Sequence, residues 1–161
     1  MPSTEQDLEA VIADFGMHGG LGGINPSAEQ LRAVLTGPTG PVQMINLLKF
    51  RDRAAYPPSY DGGEPSDVSG EEAYGRYATN TMPHVAKRGG RLVLLSAADE
   101  SVIGTLGDWD QVAIVEYPDR AAFIEMGRDP DYLAGTVHRT AGLERTAIIA
   151  TTPIIDVSSP D

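Results

Sequence analysis

The sequence predicts an α+β fold, and three observations carry that prediction. Four short runs rich in Val, Ile, Leu and Tyr are bounded by Gly, Pro and Asp. An apolar stripe at helical spacing separates the first run from the second, and another separates the third from the fourth. Only a loop lies between the second run and the third. Of the 161 residues, 41% are apolar, which supplies one core, and the length suits one domain with an extension.

Residues 1–40 read as a helical amino-terminal extension. Leu8, Val11, Ile12 and Phe15 recur at helical spacing over 4–15, with Ser3 or Thr4 as N-cap. The patch from Gly16 to Gly23 is too glycine-rich for regular structure, and His18 within it is a group able to close over a pocket. A second helix starts after Pro26-Ser27, presents Leu31, Val34 and Leu35, and stops at Thr36-Gly37-Pro38.

The core domain spans 41–153, followed by a polar-ended tail over 154–161. Its first strand, 42–50, sets one amide, Asn46, among apolar residues. An unpartnered amide there costs about 1–3 kcal/mol, so backbone, water or a ligand must satisfy it. Lys49 and Arg51 share an alternation face with Ile45 and Leu47, which puts two cations at the strand's mouth. A long loop, 52–70, carries Tyr56-Pro57-Pro58 and Asp61-Gly62-Gly63; such loops are lids or disordered segments. A helix then runs from 70 or 71 to about 88, with Tyr74, Tyr77, Ala78, Met82 and Val85 on one stripe. Pro83 is expected to kink or split it, and Gly89-Gly90 ends it.

Strand two covers 91–97 and strand three about 109–117, with a turn over 99–108 between them. A helix with Ala121, Phe123, Ile124 and Met126 follows Pro118, is interrupted at Asp129-Pro130, and resumes over 131–142. Strand four is 144–152. The order β-α-β-β-α-β is the ferredoxin-like arrangement, a four-stranded antiparallel sheet with both helices on one face. Strict alternation puts Leu92 and Leu94 on one side of strand two and Val93 and Leu95 on the other, and both faces of the sheet are apolar. The bare face needs a cover. A homodimer packing sheet on sheet into a barrel provides one; the extension folded across that face is the alternative.

Charge and composition limit the partners. A formal net charge of −11 argues against nucleic acid and against an anionic membrane surface. The absence of cysteine removes disulfides, thiolate nucleophiles and thiolate metal sites. Glu5, Asp7, Glu9 and Asp14 without Lys or Arg in the first twenty residues are the opposite of a targeting segment. No apolar run approaches the roughly 20 residues of a membrane span. A cytoplasmic protein is the expectation.

From Pro41 to about Thr152 the chain resembles a bacterial family known as domain of unknown function 1330, within the dimeric α+β barrel superfamily. The residues that carry the resemblance are Asn46-Leu47-Leu48-Lys49-Phe50, Tyr74 and Tyr77, Pro83 and Gly89-Gly90-Arg91, the run from Ile114 to Asp119, and Asp129-Pro130-Asp131-Tyr132. The resemblance implies a dimer, with sites between sheet and helices or within the barrel. Its superfamily holds cofactor-free monooxygenases, lactone isomerases, cyclases, dehalogenating enzymes and haem enzymes, so it implies no one reaction.

Several residues are candidates for chemistry. Glu116, on the side of Val112 and Ile114, has its pKa raised if desolvated, which suits a general acid or base; Arg51, Arg91 or Lys49 would instead pair with it. Asn46 is a candidate to polarise a carbonyl, and His84 or Arg51 to stabilise negative charge. His138 reads as a surface or helix-end residue. Tyr74 and Tyr77, three apart on one helix face, with Trp109 and Lys49, are candidates to line a substrate pocket, against plain core packing. Three isolated histidines make no metal cluster, and no phosphate loop or serine elbow is present. No cofactor is expected. The leading expectation is a small cofactor-independent enzyme acting on an apolar or aromatic small molecule by acid–base chemistry: isomerisation, addition, elimination or ring opening. The alternatives are a non-catalytic ligand-binding dimer and a cofactor-free monooxygenase of phenols or quinols.

Overall fold

The computed structural model describes residues 4–155, apart from the side chains of His18 and Gly19. The candidate roles for His18 and Ser3 therefore lie outside the described residues. The core is built from β1 (Val42–Phe50), β2 (Arg91–Ala97), β3 (Gln111–Tyr117) and β4 (Leu143–Thr151). They form one sheet in the order β2-β3-β1-β4, every pair antiparallel. This is the ferredoxin-like α+β fold that the sequence predicts.

Six helices accompany the sheet among the described residues: α1 (Glu5–Gly19), α2 (Ala28–Leu35), α3 (Gly70–Lys87), α4 (Arg120–Met126), α5 (Pro130–Ala134) and α6 (Thr136–Gly142). Capping boxes start α1 and α2: Thr4 and Ser27 hydroxyls accept from the N–H groups of Asp7 and Gln30, whose side chains accept in return. Three element expectations need correction. First, α1 continues through Gly16 to Gly19 instead of ending near residue 15. A glycine costs a helix only about 1 kcal/mol, and the stop comes at Gly20, where φ is 81°. Second, α3 is not split, since it runs unbroken past Pro83, whose ring is exposed. Third, the stretch read as one helix over 131–142 is two, broken at Gly135.

The register assigns each side chain to a face. One row across the sheet is Leu94, Ile114, Ile45 and Ile149; the next on that face is Ser96, Val112, Leu47 and Ala147. The opposite face carries the row Leu95, Ala113, Asn46 and Ile148. The pairing slips between Leu92 and Leu94, leaving Val93 as an extra residue. Leu92 therefore stands opposite Val115 and Leu94 opposite Ile114, which places them on different faces and corrects the strict alternation expected for this strand.

Helices cover the Asn46 face in part, over β1 and the ends of its neighbours, and leave Leu95 and Ile148 of the Asn46 row 57% and 42% exposed. Val42 and Met44 pack with Val85, Tyr117, Ala122 and Met126, and Leu48 and Phe50 pack with Leu143 and Tyr74. The extension packs on the outside of this helix layer. Leu8, Ile12, Phe15, Leu31 and Leu35 form a cluster with Ile124 of α4. Arg120 of α4 donates from Nη1 to the Pro38 carbonyl at 2.6 Å, and Arg128 pairs with Asp14. The extension thus does not cover the opposite face, where Leu94 and Ile149 stay 41% and 53% exposed.

Candidate functional site

Between sheet and helices the structure assembles a line of aromatic rings. Tyr74 and Tyr77 come from α3, as their spacing predicts, and their ring centroids are 5.2 Å apart. Phe50 of β1 lies 5.4 Å beyond Tyr74. Tyr132 of α5 lies 6.1 Å beyond Tyr77, with the two hydroxyls 2.8 Å apart. His84 meets the far side of Tyr132 edge-on at 6.0 Å. Tyr74, Tyr77, Tyr132 and His84 are all partly exposed although they sit between two layers, so solvent reaches the line.

Asn46 belongs to this side. It stands on β1 between Met44, in the cluster that Tyr132 joins, and Leu48, in the cluster that Tyr74 joins. Its Nδ2 donates to the Met44 and Ala113 carbonyls at 3.0 and 3.3 Å. Backbone therefore satisfies the donor half of the amide, and among the described residues nothing bonds its Oδ1. The Tyr74 hydroxyl likewise has no hydrogen-bond partner among the described residues. Burial raises the pKa of Tyr74, Tyr117 and Tyr132, so these phenols stay protonated and donate.

His84 is anchored at the end of α3. Its Nδ1 lies 3.7 Å from Asp129 Oδ2, which also accepts from Arg88 at 2.7 Å. Asp129 Oδ1 meanwhile caps α5 through the Asp131 N–H. The Arg88 guanidinium, with that backbone N–H, holds the Asp129 carboxyl down at about 2. Spacing alone does not mark Asp129 and Tyr132 as candidates; their signal is the run Asp129-Pro130-Asp131-Tyr132, whose first member caps the helix carrying its last.

The other candidates lie elsewhere. Glu116 is on the opposite face from Asn46, opposite Gln43. Its carboxylate accepts from Gln43 Nε2 at 2.9 Å and Arg91 Nε at 3.1 Å, so it is the paired group the sequence offered as the alternative. Lys49 pairs with Asp108 at 3.0 Å and Asp110 at 3.3 Å, and Trp109 stacks under the Arg145 guanidinium at 4.1 Å. Arg51 has an exposed side chain, while its backbone ties β1 to Gly142 and Gly70. Two open surface hollows, about 490 and 550 Å³, are lined by Lys87, Arg88 and Glu125 in one case and by Lys49, Asp108 and Arg145 in the other. Among the described residues no three His, Cys, Asp or Glu gather as a metal site, and no helix is long and apolar enough to cross a membrane.

His138 corrects its expectation as a surface residue: it is buried, and its Nδ1 lies 2.7 Å from the Tyr56 hydroxyl. Arg76 donates to that hydroxyl at 3.1 Å and to the Pro65 carbonyl at 2.8 Å. Tyr56 stacks on Tyr60 at 4.4 Å. The long loop is therefore an ordered strap fastened to α3 and α6.

Comparison with known proteins gives the same fold and no activity. The family model described as a domain of unknown function, DUF1330, matches residues 64–153, so β1 with Asn46 lies outside its match. The chain is similar to RPA0582, a protein of unknown function from Rhodopseudomonas palustris: 35% identity over 84% of this chain and 100% of that one, TM-score 0.72. The methylated form of RPA0582 gives 34% identity over 86% and 98%, TM-score 0.73. A dabb family protein with a ferredoxin-like fold from Mesorhizobium loti is more distant, at 14% identity over 71% and 98% and TM-score 0.44. No curated protein matches. The match over more than half of the chain, with the full-length likeness to RPA0582 and the sheet order, makes this chain a member of the DUF1330 family.

Proposed function

We propose that this protein is a small enzyme acting on an apolar or aromatic small molecule by acid–base chemistry, with its site between sheet and helices. The observation that carries the reading is the line from Tyr74 through Tyr77 and Tyr132 to His84, which ends on the Asp129–Arg88 pair. His84 carries the proton. The coupled Tyr77 and Tyr132 hydroxyls donate to an oxygen that gains charge during the reaction. Asn46 Oδ1 and the Tyr74 hydroxyl orient the substrate, and the rings give it a planar surface. Glu116, held by Gln43 and Arg91 on the far face, has no part in it.

The same reading makes the protein a cytoplasmic homodimer. The apolar row Leu94, Ile114, Ile45 and Ile149 is bordered at one end by Arg91, Glu116 and Gln43 and at the other by Lys49 and Arg145. An apolar centre with a charged border suits a second copy.

The test is turnover of a panel of lactones, epoxides, quinols and electrophiles by the wild type, His84→Gln, Asn46→Ala and Glu116→Gln. The expected result is loss of turnover in His84→Gln by roughly a hundredfold or more with an unchanged melting temperature, and near-normal turnover in Glu116→Gln. Loss in Glu116→Gln with retention in His84→Gln would reverse the assignment. A ligand that raises the melting temperature without turning over would make the protein a binder.

A further inference from the structure

The charge of the ligand can be read from a residue of α6 that the acid–base scheme leaves idle. α6 packs tightly on α3. A Cβ placed on Gly135 would lie 3.5 Å from Asn80, and one on Gly142 would lie 2.8 Å from the Tyr74 nitrogen, so the two helices run antiparallel. Arg139 is four residues from Gly135 and three from Gly142, which puts it on the same stripe, level with Tyr77. Arg139 is half-buried there. It donates to Asn25 Oδ1 at 3.1 Å and to the Ile24 carbonyl at 2.6 Å, both neutral oxygens. Among the described residues no carboxylate pairs with it. A cation removed from water normally gains an anion in return.

Two further observations point to where that anion belongs. Arg139 opposes the upward push of burial on both the Tyr74 and the Tyr132 phenols, so its field reaches the ring line. The Tyr74 hydroxyl, inside that line, lacks a partner. The oxygens now on Arg139 come from a glycine-rich loop: Gly20, Gly22 and Gly23 have φ of 81°, 80° and 65°, and its backbone bonds include Gly20 N–H to the Gly16 carbonyl, Gly22 N–H to the Pro26 carbonyl and Asn25 N–H to the Gly22 carbonyl.

We propose that Arg139 is the anion-recognising residue of this site and that its ligand is a small aromatic carboxylate. The carboxylate takes the guanidinium from Ile24 and Asn25, the Tyr74 hydroxyl donates to it, and the ring lies along Tyr77 and Tyr132. The inference rests on the tyrosine line being the binding site, and it adds the charge and shape of what binds.

The experiment titrates the full chain with benzoate and with benzamide, its neutral isostere, following heat and the ring resonances of Tyr74, Tyr77 and Tyr132. Benzoate is expected to bind roughly tenfold or more tightly than benzamide, and less so as salt rises. Because Arg139 also fastens the glycine loop, the comparison on the unaltered chain is the primary readout. Thermal unfolding then accompanies the variants. Arg139→Gln is expected to abolish the preference for benzoate, and Arg139→Lys to keep part of it. Equal binding of amide and acid, with the tyrosine resonances shifting, overturns the charge inference and leaves the site standing. No shift of those resonances with either probe overturns the inference together with the site.

Discussion

At the scale of single residues, the pairing of charges decides what each one can do. Asp129 has a folded pKa depressed to about 2, first by Arg88 and then by the Asp131 N–H. A depressed carboxylate stabilises the fold above its ordinary value of 3.8, and that contribution is lost as pH falls from there through about 2. Asp129→Asn should therefore flatten the acid limb of a stability–pH profile between about pH 4 and pH 2, measured by denaturant unfolding. His138 is depressed by burial, so its neutral form stabilises the fold above pH 6.5 and the benefit fades on acidification below it. Hydrogen exchange in the 52–69 strap should then rise below that pH, and in His138→Phe the rise should be absent. A rise of equal size in both would detach the strap from His138. Asn46 was legible because a lone amide in an apolar run demands partners. Glu116 was legible as paired or catalytic but no further, since alternation gives its face and only the register names Gln43 as its neighbour. His138 reads as a surface residue because Arg139 follows it, whereas Tyr56, 82 positions away, packs against it.

At the scale of elements, close approach replaces side-chain bulk. Gly70 and Gly142 let the start of α3 meet the end of α6, and a Cβ on Gly70 would fall 2.2 Å from the Arg51 carbonyl oxygen. Backbone cannot yield as a side chain does, so Gly70→Ala should cost about 1–3 kcal/mol or more in chemical denaturation, unlike Gly75→Ala, which meets open space. An unchanged midpoint for Gly70→Ala would contradict the packing. The extension contributes through apolar contact: Leu31 is 0% exposed against the α4 cluster, and Leu31→Ala should cost about 2–5 kcal/mol. Strand positions were readable from apolar runs and their Gly and Pro borders, since β1 at 42–50 and β2 at 91–97 fall where those runs lie. The slip at Val93 and the length of α1 were not, because a bulge is defined by its partner strand and a helix through glycines by what it packs on.

At the scale of the whole molecule, the two faces of the sheet differ in what packs on them. Among the described residues, helices, extension and strap pack on or around the Asn46 side, and Leu94 and Ile149 of the row Leu94, Ile114, Ile45 and Ile149 stay exposed. Burying that row at about 25 cal/mol per Å² of apolar surface is the driving force for a second copy to add its own sheet. On the proposal made above, the site and the dimer are independent consequences of one layer, each using the face the other leaves alone. Sedimentation equilibrium tests this most directly. The wild type should sediment at twice the 17.1 kDa mass of one chain, and Ile114→Glu, which sets a charge in the middle of the bare face, should sediment at that single-chain mass with its fold intact. A wild type that stays at the single-chain mass at every concentration, or an Ile114→Glu variant that still pairs, would contradict the account.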